Sequence, residues 1–125
     1  MIKDIFTIEA PIESVYLALT DAKIMGEWSG GPAESDPAVG GKFSLWGGDV
    51  YGVYTGLVDP TSILMDWSMN DWQKPSKVTL NLEDLKGVST RVYLEHDKLP
   101  IGQEDGTEEA WSEYYFAPIE KLLKK

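Results

Sequence analysis

The chain has 125 residues, which is the size of one ordinary domain. Its 21 acidic and 11 basic residues give a formal net charge of −10, which disfavours nucleic acid and anionic membranes as partners because both repel an acidic surface. The sequence contains no cysteine, and this excludes disulfides, thiolate nucleophiles and cysteine-bound metals.

The N-terminal sequence gives no sign of a targeting segment. Residues 1–6 lack the uninterrupted apolar stretch of a signal peptide, and no part of the sequence approaches the roughly 20 apolar residues of a membrane span. We therefore expect a soluble, cytoplasmic protein.

The first elements are a strand and two short helices. Residues 3–9 alternate between two faces, which predicts a strand. Pro11 suits the first turn of a helix that continues through residue 20, because its missing N–H costs nothing there. Asp21 can cap a second helix that extends to about residue 27.

The middle of the chain predicts antiparallel strands. Residues 42–46 form a short strand between two Gly-Gly pairs, and residues 49–58 form the next. Glycines on one face of that second strand leave gaps that something else must fill, or they mark strong bending of the strand. The predicted inner face consists of Val50, Gly52, Tyr54, Gly56 and Val58.

Three further strands show the same alternation, with a tight turn at Lys86-Gly87 before the last of them. One face of each strand is apolar and the other is polar, as in a sheet with one face buried and one face exposed to solvent. The inner sets are Ile63, Met65, Trp67 and Met69, then Val78, Leu80 and Leu82, then Thr90, Val92, Leu94 and His96.

A long amphipathic helix is predicted over residues 106–123. Asp105 with Glu108 three positions later resembles a capping box, and Pro118 is expected to kink the helix. The order is thus one strand, two short helices, about six strands and a long helix, which is typical of an α+β fold whose helices cover one face of an antiparallel sheet.

At this point the chain resembles a known family, the C-terminal domain of the activator of Hsp90 ATPase, within the START/Bet v 1-like (SRPBCC) helix-grip superfamily. The matching residues run through nearly the whole chain in order. They are Ala10-Pro11, Val15-Tyr16, Leu19-Thr20, Trp28-Ser29, Gly40-Gly41-Lys42-Phe43, Gly48, Gly52, Trp67, Trp72, Thr90, His96, Pro100, Trp111 and Tyr115-Phe116.

The resemblance implies one helix-grip domain over residues 1–125, in which a curved antiparallel sheet of six to seven strands wraps around the C-terminal helix and leaves a cavity. It implies a non-enzymatic protein that interacts with an Hsp90-type chaperone. It implies no shared catalytic set. Eukaryotic members carry a further N-terminal domain, whereas this sequence opens at the first predicted strand.

Motifs for catalysis and metal binding are weak. Ser29 lacks the first glycine of a nucleophile elbow, and Gly41-Lys42 fails the spacing of a phosphate-binding loop. His96 is the only histidine, and a lone histidine on an apolar face is typical of a hydrogen-bonded core residue. It is alternatively a polar anchor for a ligand. We predict no catalytic residue, no metal site and no cofactor.

Large inward-facing side chains are the candidates for lining the cavity, although ordinary core packing is the commoner explanation for any single one of them. A carrier or sensor of a small hydrophobic ligand is therefore the alternative to the chaperone-interaction hypothesis, and a cyclase- or hydrolase-like enzyme ranks last. The cavity candidates are Tyr54, Met65, Trp67, Met69, Leu94, His96, Trp111 and Tyr115.

Aromatic and acidic residues near loops and at the start of the last helix are the candidates for a partner surface. Residues 95–113 hold seven carboxylates against Lys98 alone, and so contribute −6 of the net charge. This concentration predicts a basic partner or an uncharged ligand, for a protein that is a monomer or a weak dimer. The candidates are Trp28, Trp72, Glu104, Asp105 and Glu108.

Overall fold

The structure, a computed structural model, describes residues 1–124 and contains one curved sheet of seven antiparallel strands. The spatial order β1-β7-β6-β5-β4-β3-β2 is a meander closed by β1, which pairs with the last strand. The strands are β1 Ile2–Ile8, β2 Ala33–Ser35, β3 Lys42–Leu45, β4 Val50–Val58, β5 Ser62–Met69, β6 Ser76–Leu85 and β7 Ser89–Asp97. The α+β prediction is confirmed, and β2 is the strand that the sequence pattern did not indicate.

The faces of β5, β6 and β7 agree with the predicted alternation, but β4 changes face along its length. Its pairing with β5 shifts between Tyr54 and Gly56, so that one extra residue bulges out of the ladder. Beyond the bulge Leu57 packs toward the core and Val58 is 62% exposed. The prediction that Gly56 and Val58 belong to the inner face is therefore wrong, because a bulge reverses every later side chain.

The glycines of β4 do not leave open space. A Cβ on Gly52 would lie 1.9 Å from the Asp66 carbonyl oxygen and 2.8 Å from the Phe43 ring. Gly56 faces outward beside Leu64, its partner on β5. The gap at Gly52 is thus filled by the Phe43 ring, which is one of the two expected outcomes, and neither glycine adds open space to the cavity.

Two helices follow β1. α1 (Ile12–Thr20) begins one residue later than expected, with Pro11 as its N-cap. α2 (Ala22–Ser29) is capped by Asp21, whose carboxylate accepts a hydrogen bond from the Ile24 N–H. This cap was predicted correctly, but α2 continues past the expected end at residue 27.

The C-terminal helix (residues 104–123) has three parts: α3 (Glu104–Ala110), a π-helical segment (Trp111–Phe116) and α4 (Ala117–Leu123). In the π-helical segment the Ala117 N–H bonds the Ser112 carbonyl, five residues back. Pro118, in the first turn of α4, has no N–H to donate, and the chain accommodates it by widening the helix. The predicted capping box is absent, since Gln103 is the N-cap and makes no side-chain bond there.

The core lies between the sheet, the C-terminal helix and α1–α2. The widened helix buries two adjacent aromatic residues, Tyr115 and Phe116, together with Trp111 and Ile119. Phe116 stacks on Phe6 of β1 with ring centroids 4.2 Å apart. Within residues 1–124, no helix combines the length and the apolar character needed to cross a membrane.

Candidate functional site

An apolar pocket of about 220 Å³ opens at one end of the fold, between the C-terminal helix and the strand ends of β4 and β5. The helix contributes one wall and the sheet the other. A short turn, Trp46–Gly48, closes the pocket from the side. The lining residues are Trp46, Asp49, Val50, Trp67, Met69, Thr107, Ala110, Trp111, Tyr114 and Tyr115.

The Trp46–Gly48 turn presents an indole to the pocket through an unusual backbone. Trp46, Gly47 and Gly48 all have positive φ (52°, 69° and 102°), a region that a bulky side chain occupies at a cost of about 1–2 kcal/mol. The Trp46 indole N–H offsets this by donating to the Ser29 carbonyl at 2.9 Å. Its ring also packs edge-on against Tyr115, at 5.9 Å between centroids. The strained turn therefore holds a half-buried indole against the helix.

The inner wall is a cluster of aromatic rings. Trp111 lies 5.5 Å from Trp67 and 4.3 Å from Tyr115, measured between ring centroids. The Trp67 indole donates to the Tyr115 hydroxyl at 3.3 Å. Burial raises the pKa of the Tyr115 phenol well above its usual value, so this hydroxyl is neutral at physiological pH. The wall is apolar, rigid and uncharged.

Asp49 supplies the one charged side chain among the residues that line the pocket. It is exposed and follows the Trp46–Gly48 turn directly. The Asn70 side-chain amide donates to its Oδ1 at 2.8 Å, and the Asn70 N–H bonds its carbonyl at 3.2 Å. These contacts fix the orientation of the Asp49 side chain, and Asp49 is one of the residues that line the pocket.

His96 is fully buried behind this wall and takes part in a closed hydrogen-bond chain. The Trp111 indole donates to Nδ1 at 3.0 Å, so Nδ1 carries no proton and Nε2 does. Nε2 donates to the Ser76 hydroxyl at 2.6 Å, and Ser76 donates in turn to the Trp67 carbonyl at 2.6 Å. Burial lowers the pKa of His96 to about 4. Both ring nitrogens are engaged within the core, as expected of a packing residue and not of a ligand anchor.

Four of the predicted cavity residues, Trp67, Met69, Trp111 and Tyr115, line the pocket. The other four, Tyr54, Met65, Leu94 and His96, are buried elsewhere in the core. The Tyr54 hydroxyl donates to the Ser35 hydroxyl at 2.7 Å, and burial raises the pKa of Tyr54 to about 12. The prediction thus identified the correct faces but not which part of them opens into a pocket.

The predicted partner-surface residues divide in the same way. Trp28 and Trp72 are 6% and 8% exposed, so neither candidate offers exposed aromatic surface to a partner. The Trp28 indole donates to the Ala18 carbonyl at 2.7 Å, and Trp72 packs against Trp67. Glu104, Asp105 and Glu108 are exposed on the first turns of the C-terminal helix.

The sequence prediction missed six lining residues: Trp46, Asp49, Val50, Thr107, Ala110 and Tyr114. A usable signal existed for the helical ones, because Thr107, Ala110, Trp111 and Tyr114 follow the 3.6-residue period of one helix face. The Trp-Gly-Gly sequence at 46–48 also indicates a tight turn that carries a large ring. Within the described residues, no three histidine, aspartate or glutamate side chains are grouped closely enough to hold a metal ion.

Comparison with known proteins gives close matches of shape and clear matches of sequence. An Hsp90 activator from Plasmodium falciparum superposes with a TM-score of 0.92 at 30% identity, covering 98% of this chain and 94% of that one. The solution structure of the Aha1 dimer from Colwellia psychrerythraea has a TM-score of 0.81 at 16% identity over 98% of this chain and 95% of that one, which shows the fold alone.

A curated relative, the human activator of 90 kDa heat shock protein ATPase homolog 1, is 29% identical over 112 residues. The match covers 89% of this chain and 33% of that protein, so the chain spans about a third of the length of the relative. The family model described as "Activator of Hsp90 ATPase homolog 1-like protein" matches residues 9–124. The resemblance seen in the sequence is thereby confirmed, and the chain belongs to the activator of Hsp90 ATPase homolog 1-like family.

Proposed function

We propose that this chain is a non-enzymatic, co-chaperone-type interaction domain that binds an Hsp90-type chaperone in the cytoplasm and raises its ATPase rate. The observation that chiefly supports this proposal is the family match over residues 9–124. The close agreement of shape with an Hsp90 activator from P. falciparum adds to it, because it extends over 94% of that chain.

The exposed acids of the C-terminal helix are the proposed contact surface. Glu104, Asp105 and Glu108 project from its first turns, within the stretch that carries most of the negative charge. Complementary charge speeds association and selects partners, so these carboxylates fit a basic patch on the chaperone. Trp28 and Trp72 are not part of the proposed contact surface because both are buried.

The state of His96 supports a role without catalysis. General acid–base work needs a group that can reach a substrate and exchange protons near neutral pH. His96 is 0% exposed, has both nitrogens bonded within the core and has a pKa of about 4. A surface that acts on a partner is the better explanation for this domain.

A steady-state ATPase assay with a purified Hsp90 tests the proposal. We expect a higher ATPase rate on adding the chain, and a complex on a sizing column. The free chain is expected to elute as a monomer or weak dimer. No stimulation together with no complex would overturn the proposal.

A charge-matched pair of variants tests the surface. The triple variant Glu104→Gln, Asp105→Asn, Glu108→Gln is expected to weaken binding, most strongly at low salt. The control Glu9→Gln, Glu13→Gln, Glu34→Gln removes the same charge from exposed positions elsewhere. Equal weakening by both triples would show that only net charge matters and would reject this surface.

A second candidate function, the carriage or sensing of a small hydrophobic molecule, is favoured by the apolar pocket beside the first half of the C-terminal helix. Native mass spectrometry of the purified chain would show a co-purified molecule as an added mass. A spectrum with only the mass of the chain, together with no uptake of apolar probes, would reject this function.

A further inference from the structure

The pocket combines two features that a purely apolar site does not need. Its walls are dominated by aromatic rings, namely the indoles of Trp46, Trp67 and Trp111 and the phenols of Tyr114 and Tyr115. Its one charged lining residue is Asp49, whose side chain is exposed to solvent beside the rings. Aromatic faces and a carboxylate both attract positive charge, so the two features act in the same direction.

We propose that this pocket binds an alkylammonium group, carried by a small quaternary ammonium compound or by a lysine side chain of a partner protein. The proposal concerns the pocket alone and does not depend on the identity of the chaperone partner. It assigns a cationic ligand to a site that the second candidate function would fill with a neutral one.

The chemistry of the group matches each wall. Methyl or methylene groups next to an ammonium nitrogen are apolar enough to enter an apolar pocket. They also share the positive charge of the nitrogen, so their contact with the ring faces is a cation–π interaction. Asp49 is oriented by the Asn70 amide and is exposed at the rim, where it can pair with the charge without the cost of burial. An anion would meet the same carboxylate with no compensating cation among the lining residues.

The volume sets the size of the group. A cavity of about 220 Å³ exceeds the ~150 Å³ that holds a benzene ring, and falls below the ~300 Å³ at which drug-sized sites begin. A trimethylammonium group or the end of a lysine chain fits this range, whereas a lipid does not.

The remainder of the surface supports a cationic ligand. The chain carries a net charge of −10, and Glu108 and Glu109 are exposed on the helix that forms one wall. A long-range negative potential of this kind raises the local concentration of cations and speeds their association.

The decisive comparison is between choline and its uncharged isostere 3,3-dimethylbutan-1-ol, in which carbon replaces nitrogen. Both are titrated into the full chain at constant ionic strength, and the indole N–H signals are followed by NMR. We expect choline to bind about tenfold more tightly or better, with the largest shifts at Trp46, Trp67 and Trp111. Equal or tighter binding of the alcohol overturns the proposal, and so does failure of both choline and a lysine analogue to bind.

Two variants separate the charge from the apolar contact. Asp49→Asn keeps the shape and the acceptor for Asn70, and is expected to weaken choline several-fold while leaving the alcohol unchanged. The control Glu13→Gln removes a charge from α1, outside the pocket lining, and is expected to change neither affinity. Circular dichroism checks that both variants are folded. Loss of choline affinity in the control equal to that in Asp49→Asn would show a non-specific charge effect and would overturn the role of Asp49.

A further titration distinguishes the two sources of the cation. N-acetyl-lysine N-methylamide represents a partner side chain. If it binds at least as tightly as choline, the natural ligand is a lysine of a partner protein; if choline is tighter, it is a free quaternary ammonium compound. Both results support the site, and failure of both cations removes it. ATPase stimulation that persists without binding of either cation would leave the chaperone proposal standing and reject only this one.

Discussion

The space between the sheet and the C-terminal helix has a closed half and an open half. In the closed half Tyr54, Met65, Leu94 and His96 are all 5% exposed or less, and polar atoms there bond to one another. In the open half Trp46, Met69 and Tyr114 retain contact with solvent around the pocket. The closed half gives the domain its stability, whereas the open half leaves apolar surface available to a ligand.

The difference arises from local backbone geometry more than from residue type. Both halves are rich in large apolar side chains, so composition does not distinguish them. In the closed half Phe43 lies over Gly52 and fills the space that the missing side chain leaves. In the open half the Trp46–Gly48 turn keeps one half-buried indole beside the pocket.

The largest effect is expected from Gly52→Ala. The new Cβ would lie 1.9 Å from a backbone oxygen on the neighbouring strand, which cannot move without breaking the ladder. We expect a loss of more than about 4 kcal/mol in the free energy of unfolding, or no folded protein at all. Gly56→Ala is the matched control on the same strand. Its Cβ would meet Leu64 at 3.4 Å, a side chain that can adjust, so near-native stability is expected in urea denaturation.

A methionine pair on β5 compares the two halves directly. Met65 is 5% exposed in the closed half, and Met69, on the same face, lines the pocket. Met65→Ala should lower the free energy of unfolding by about 3 kcal/mol because it leaves a cavity, and Met69→Ala by about 1 kcal/mol or less. Denaturant melts measure both. Equal losses would show that the open half is as tightly packed as the closed half.

Sequence reasoning predicted the sheet faces well because strand alternation is a local property. The inner sets of β5, β6 and β7 follow from a period of two and needed no tertiary information. The bulge in β4 was not predictable in this way, because it depends on how two strands pair. One extra residue between Tyr54 and Gly56 moved Val58 to the outside and reversed the expected role of Gly56.

The pocket was harder to predict than the fold for the same reason. Trp67, Met69, Trp111 and Tyr115 were identified as inward-facing, but alternation cannot show where two packed elements separate. The pocket lies next to the positive-φ turn at Trp46 and the π-helical segment, and neither feature follows from the alternation of apolar residues. Asp49 carried no sequence signal, because a carboxylate beside Gly-Gly is typical of a turn.

The buried histidine makes the closed half sensitive to acid. His96 has a pKa of about 4 in the folded protein and near 6.5 in the unfolded chain. Between these two pH values His96 is therefore protonated in the unfolded chain but neutral in the folded protein. Stability is complete above about pH 6.5 and falls as the pH drops toward 4. Between pH 6.5 and 5 the loss from this group is expected to be about 2 kcal/mol.

The control for this effect is His96→Gln, which does not titrate. It should be less stable than the parent at pH 7.5, because the amide can replace the ring's acceptor and donor but not its packing against Trp67 and Trp111. Its free energy of unfolding should nevertheless change less between pH 6.5 and 5 than that of the parent. Identical slopes in the two proteins would show that carboxylates and not His96 cause the acid sensitivity.

The smallest effect on stability, and a large one on binding, is expected at the mouth of the pocket. Tyr114 is 61% exposed, so Tyr114→Ala should change the free energy of unfolding by only about 0.5 kcal/mol. The same change removes one aromatic ring from the site and should weaken choline several-fold, whereas Tyr114→Phe keeps the ring and should retain the affinity. Thermal melts and choline titrations on the three proteins test both parts. A large fall in stability would place Tyr114 in the closed half, and unchanged choline affinity in Tyr114→Ala would mean that the indoles alone form the cation site.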